Sequence, residues 1–219
     1  GLRRPRICLS TGRCEPIVLD VTDTGTLQEC IRRLDDTEGG LDWVIANAGV
    51  GGHTNARAFS WEVCLRIINT NVLGAAATLT AALPGMLRRN RGHLVAVASL
   101  SAFRGLPKDA AYGGSKAFLR SFMQSLEVDL RSSNVRTTCV YPGFVGTEMT
   151  APNQFRMPFL TDAATAADRI GRAIEAGKAE LRFPWQAAAG VSVMRLLPRT
   201  VYQRLADRAS LTRTDVEVE

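Results

Sequence analysis

Histidine is nearly absent: His53 and His93 are the only two in 219 residues, which excludes a histidine-built metal site, and no metal is expected. The five cysteines, Cys8, Cys14, Cys30, Cys64 and Cys139, are an odd number with no C-x-x-C pair. That spacing suggests neither a disulfide scaffold nor a zinc site. Free thiols are expected to be reduced, which assigns the chain to the cytoplasm. No uninterrupted apolar run approaches the roughly 20 residues that a bilayer crossing needs, and the first residues lack the apolar centre of a signal peptide. No integral membrane span is therefore expected. Clustered positive charge is scarce as well. Lys and Arg exceed Asp and Glu by 27 to 21, a net +6, but apart from Arg88, Arg89 and Arg91 they are scattered rather than clustered on one predicted face. Nucleic acid is a poor candidate partner, and small acidic or phosphorylated molecules are only weakly favoured.

What the chain does have is alternation. With 46% hydrophobic residues it can bury one sizeable core, and short apolar runs bounded by Gly, Pro and Asp alternate with longer amphipathic ones. This is the pattern of an α/β fold, a parallel sheet flanked by helices. Strands are predicted at Pro16–Val21, Leu41–Ala46, His93–Ala98 and Val135–Tyr141, with Glu180–Phe183 as an edge strand. Helices are predicted at Thr24–Leu34, from Ser60 as N-cap to about Asn90 with a kink or break at Pro84, at Ala111–Arg131 and at Thr165–Ala176. One domain is expected over residues 1–209, with 184–209 forming lid or subunit-contact helices and 210–219 a disordered tail. The start departs from the pattern. Arg6–Thr11 reads as a strand, yet about four residues separate it from Pro16, whereas parallel neighbours need a crossover of a dozen or more.

The polar residues of "SLSAFRGLPKDAAYGGSKAF", 99–118, suggest chemistry. On a helix Tyr112 and Lys116 share one face. A cation there stabilises phenolate and lowers the cost of ionising a group whose ordinary pKa is near 10. Such a Tyr exchanges a proton with a carbonyl or alcohol oxygen. Ser99, just past a predicted strand, falls at the sheet edge where open α/β folds place ligands. As a bare pair, Tyr-x-x-x-Lys is also ordinary helix-surface decoration.

Taken together with other segments, these residues resemble the short-chain dehydrogenase/reductase family. "NAG" at 47–49, "NVLG" at 71–74, "DVTD" at 20–23 and "YPGFVGTEM" at 141–149 match its motifs in order, and the resemblance runs from about residue 17 to 150. It implies a Rossmann-like doubly wound sheet and an NAD(P)-dependent oxidoreductase interconverting a carbonyl and an alcohol. Tyr112 would be the general acid/base, Lys116 would bind the nicotinamide ribose, Ser99 would position the substrate oxygen, and Asn71 would anchor a water of a proton relay. Asn47, Ala48 and Gly49 would pack the adenosine side of the cofactor and Asp20, with Val21 beside it, would meet the adenine. Pro142, Gly143, Val145 and Thr147 would line the nicotinamide. The cofactor would be NAD or NADP, with Arg13 slightly favouring NADP.

The family's first strand, its T-G-x-x-x-G-x-G turn and first helix should precede these motifs, and the glycine turn that lets main-chain N–H groups approach a pyrophosphate does not occur in these 219 residues. A serine hydrolase built on "GGSKA" is discarded, because no His follows position 93. A non-catalytic cofactor sensor or interaction protein of the same fold stays open. The substrate is expected to be apolar near its reacting carbon, from Phe103, Leu106, Phe144, Met149 and Phe155. The resemblance implies a homodimer or homotetramer through the helices at 60–90 and 111–131. The apolar, basic stretch 183–205 reads as a lid, a subunit contact or a membrane-surface helix.

Overall fold

The structure, a computed structural model, describes residues 15–151 and 157–211, with side chains described as far as 206. Arg6–Thr11, Arg13, Cys8, Cys14, Phe155 and most of the 210–219 tail lie outside the described residues. In chain order the strands are β1 (Trp43–Ala46), β2 (Gly92–Val97), β3 (Val135–Pro142), β4 (Val145–Gly146), β5 (Thr161–Asp162) and β6 (Glu180–Phe183). The helices are α1 (Thr24–Thr37), α2 (Trp61–Ile68), α3 (Ala75–Arg88), α4 (Ala110–Asp129), α5 (Ala163–Glu175), α6 (Trp185–Leu196) and α7 (Arg199–Leu211). The main sheet has the order β1-β2-β3-β6 with every pair parallel, so that Ala96 faces Ala46 on one side and Cys139 on the other.

Because side chains alternate along a strand, the central strands β2 and β3 feed two cores. Leu94 and Ala96 of β2 meet Leu79, Ala82 and Met86 of α3 and Leu119 and Met123 of α4, whereas Val95 meets Ala166 and Ile174 of α5 with Val140 and Phe183. Helices thus cover both faces, as the doubly wound expectation requires. At β1 the second face is open: Trp43 and Ile45 are each 44% exposed, and no described helix covers them.

Two segments differ from expectation. Residues 16–21 form no strand; Ile17 and Val18 are 46% and 76% exposed, because a strand needs a partner ladder and none of the described strands reaches them. Pro84 neither breaks nor ends α3. It lies on the exposed side of the helix, where its ring packs against no described neighbouring element and only one intrahelical N–H bond is lost. Ser60 caps α2 as expected, accepting from the Val63 N–H at 3.2 Å. A π-helical turn, Asn69–Gly74, joins α2 to α3 without interruption. The resulting Trp61–Arg88 tract of 28 residues, with an 18-residue window of mean hydropathy 1.3, has the length and composition of a bilayer-crossing helix. Here its Ile67, Leu79 and Met86 are buried in the fold.

The Arg88, Arg89 and Arg91 group is matched by acids: Asp36 at 3.9 Å, Asp35 at 2.8 Å and Asp42 at 3.4 Å. Arg89 also donates to the Leu41 carbonyl at 2.6 Å while Asp35 accepts from the Leu41 N–H at 2.8 Å, which clips α1 and α3 to the entry of β1. Cys30, Cys64 and Cys139 are free thiols, and no cluster of three metal-ligating side chains occurs among the described residues.

His93, 1% exposed at the start of β2, is structural. The single proton of the Thr138 hydroxyl goes to the Lys178 carbonyl at 2.7 Å, so His93 Nε2–H donates to Thr138 Oγ1, also at 2.7 Å, and Nδ1 is buried without a partner. Burial, with Arg136 adding to it, pushes the imidazole down from 6.5 to about 4. Between these values the unfolded chain binds a proton that the native chain refuses. The stability present above pH 6.5 is therefore lost as pH falls toward 4. Thermal midpoints should drop across this window, and His93→Gln should remove that part of the slope; an unchanged slope would contradict the assignment.

Candidate active site

The site is built at the C-terminal ends of β1, β2 and β3, the edge at which open α/β sheets bind ligands. Asn47–Gly49 leave β1, Ser99 follows β2 and caps the short 3-10 turn Leu100–Phe103, and Pro142, Gly143, Val145 and Thr147 lie at and beyond the end of β3. Across from them α4 presents Tyr112 and Lys116 one turn apart. Its first turn is anchored where the Ala111 N–H donates to Thr54 Oγ1 at 3.1 Å and the Gly113 N–H donates to the Asp109 carbonyl at 2.8 Å.

Asn71, fully buried in the π-helical turn, holds these parts together. Its Oδ1 accepts from the Val50 N–H at 2.8 Å, and its Nδ2 donates to the Val50 carbonyl at 3.0 Å and to Ser115 Oγ at 3.1 Å. Ser115 in turn donates to the Tyr112 carbonyl at 2.7 Å. The side chain of Asn71 thereby ties the β1 loop to the turn of α4 that carries Tyr112. π-Helical turns of this kind occur often at functional sites. Ser115 and Val50 were not singled out from sequence, although Tyr112, Ser115 and Lys116 stand at the helical spacing i, i+3, i+4 that marks one face.

Lys116 is 4% exposed and donates to the Val97 carbonyl at 2.9 Å. Burial lowers its ammonium to about 8, with the thiol of Cys139 opposing the shift. Tyr112 moves the other way from the sequence expectation. Burial raises its phenol above the ordinary value, Asp109 adds to the rise, and the hydrogen bond from Ser99 opposes it. Lys116, whose Nζ is engaged by the Val97 carbonyl and lies 5.7 Å from the centre of the Tyr112 ring, is not among the groups that lower the phenol.

Ser99, Tyr112 and Gly49 border a cleft of about 1000 Å³, closed on its far side by Ala187, Gly190, Val191 and Met194 of α6. Of the apolar residues expected there, Leu106, Phe144 and Met149 line it. Phe103 does not. It is buried with its ring 4.8 Å from that of Tyr141 and with Arg120 and Arg182 beside it. The α6 wall was legible in principle, since 187, 190, 191 and 194 follow a helical apolar spacing. Asn71 and Lys116 lie beside Gly49, which lines the cleft, without lining it themselves; Asp20, Val21, Asn47, Ala48, Pro142, Val145 and Thr147 do not line it. Asp20 accepts from the Thr22 N–H at 2.9 Å and from its hydroxyl at 2.8 Å. Val21 packs against Gly74, where an added Cβ would come within 2.8 Å of the Val21 carbonyl.

A parallel sheet covered by helices on both faces, with a cleft and polar cluster at its C-terminal edge, defines the class of doubly wound α/β proteins, which bind their ligands at that edge. Residues 8–156 match the short chain dehydrogenase family model, a wider span than the motifs alone cover, and the chain belongs to this family of oxidoreductases. An uncharacterized oxidoreductase of Myxococcus xanthus is 54% identical over 194 residues, 89% of this chain and 77% of that protein. The closed form of a serine dehydrogenase complexed with NADP+ is 25% identical, with a TM-score of 0.67 over 77% of this chain and 75% of that one. A Burkholderia cenocepacia short chain dehydrogenase, solved in complex with NADP, superposes with a TM-score of 0.75 over 87% of this chain and 77% of that one; at 23% identity it bears on the fold.

Proposed function

We propose that the chain is an NAD(P)-dependent carbonyl reductase for apolar substrates, with Tyr112 as the general acid/base. The observation that carries this reading is the convergence of Ser99 and Tyr112 on one open apolar cleft, with Lys116 and Asn71 buried beside Gly49 of its lining. The residues present fit part of a dinucleotide where Gly49, of the segment assigned to the adenosine side, meets Lys116, assigned to the nicotinamide ribose. Gly49 leaves room beside two polar atoms, since an added Cβ would stand 3.4 Å from Asn71 Oδ1 and 3.5 Å from Lys116 Nζ. When bound, the nicotinamide supplies hydride to the carbonyl carbon.

The chain's own residues do the rest. Tyr112 gives its phenolic proton to the substrate oxygen, and Ser99, whose Oγ already accepts from the Ser101 N–H at 3.2 Å, directs its hydroxyl proton to the same oxygen. Lys116 offers its ammonium to the ribose. Asn71 keeps Val50 and Ser115 in place and would anchor a water that links Lys116 to a proton relay, Oδ1 having one acceptor position left. The raised phenol of Tyr112 supports the reducing direction, since the acid form that reduction needs then persists through neutral pH. Exposed Trp61, Leu65, Leu73 and Phe118 on the tract 61–88 and on α4 support a homodimer or homotetramer through those helices. NADP is the favoured cofactor, a reading supported by the serine dehydrogenase complexed with NADP+.

A panel of apolar ketones and aldehydes assayed with NADPH and with NADH should give carbonyl-dependent oxidation, faster with NADPH. Cofactor binding without turnover of any carbonyl would favour the sensor reading.

A further inference from the structure

Helix α6 is apolar on two opposite sides. Ala187, Val191 and Met194 face the cleft, while Trp185 and Leu196, eleven residues apart and so nearly superimposed along a 3.6-residue helix, project the other way at 74% and 86% exposure, with Val193 beside them at 61%. An exposed face of large apolar side chains marks an interaction site, yet no described element covers this outer face. The sequence around it carries one sign of charge, although Arg195 itself turns inward over the Phe103 ring. No Asp or Glu occurs between Glu180 and Asp207, whereas Arg195, Arg199 and Arg204 do. On α7, Tyr202 turns to the protein body, donating to the Gly105 carbonyl beneath Arg104. Arg204, two residues on, leaves from the opposite side and is exposed.

We propose that the outer face of α6, with the exposed arginines of α7, docks on an anionic lipid surface. An exposed Trp with aliphatic neighbours inserts at the headgroup boundary, and arginines around it meet the negative surface. This charge pattern selects against a second copy of the chain as the occupant. A two-fold contact through the same patch would bring Arg199 and Arg204 against their own counterparts with no acid between. Docking places the helix that walls the cleft at the lipid surface, and it rests on α6 and α7 alone, not on the chemistry of the site.

The test is co-sedimentation of the full protein with vesicles of phosphatidylcholine alone and of phosphatidylcholine mixed with phosphatidylglycerol. Binding is expected to the mixed vesicles only, reversed by high salt. At about fivefold per arginine, the double variant Arg199→Gln/Arg204→Gln should weaken the partition about 25-fold. Leu196→Glu should abolish it with an unchanged thermal midpoint, because the side chain is almost fully exposed. No co-sedimentation, or binding that neither substitution affects, overturns the proposal. A dimer that Leu196→Glu dissociates in the absence of vesicle binding overturns it in favour of a second copy.

Discussion

Tyr112→Phe should lower carbonyl turnover on the order of 10³-fold, within the range general acid catalysis supplies, while NADPH binding stays within about twofold. The substitution removes one oxygen and leaves the ring that the first turn of α4 positions. Binding survives because Lys116 is held by the Val97 carbonyl and Asn71 by Val50 and Ser115, none of which involves the phenol. In the wild type, the raised phenol predicts that reduction is nearly flat through neutral pH. Alcohol oxidation, which needs the phenolate, should climb with pH beyond the ordinary tyrosine value. Full activity in the phenylalanine variant would remove Tyr112 from the chemistry.

Asn71→Ala should produce the largest combined loss. Three hydrogen bonds disappear from a fully buried position, and the Val50 N–H and carbonyl are left without their side-chain partner. A destabilisation of about 3 kcal/mol follows from the cost of unsatisfied buried groups, corresponding to roughly a 6–12 °C fall in thermal midpoint for a chain of this size. Catalysis should fall on the order of 10²-fold even well below that midpoint, because misplacing reacting groups by about an ångström costs that much. Differential scanning calorimetry beside single-turnover kinetics separates the two effects. A variant with native stability and native turnover would show that the clamp positions nothing.

The parallel sheet and its flanking helices were readable from sequence because apolar periodicity reports which face of an element is buried. The run at Val135–Tyr141 became β3, and the Ser60 cap was found where a hydroxyl precedes an amphipathic tract. The 16–21 run misled for the same reason: its composition suits a strand, but pairing depends on a neighbour that local sequence does not reveal. Pro84 misled differently, since its effect depends on which side of the helix it occupies. At the site, Ser99, Tyr112 and Lys116 were legible because α-helical spacing places two of them on one face. The fate of Phe103 was not, because it turns into the core over Tyr141. Neither was the direction of the Tyr112 shift, which is decided by burial against the hydrogen bond from Ser99, with Asp109 adding to the rise, an environment no spacing encodes.

The most direct test of the account follows the reaction's atoms. The full-length protein is given an apolar ketone that it turns over and NADPH carrying deuterium at the transferred position, and the alcohol is analysed by mass spectrometry. The account predicts one deuterium on the carbinol carbon, and loss of product in Tyr112→Phe. An alcohol without that deuterium, or cofactor oxidation that proceeds equally without the ketone, would contradict it.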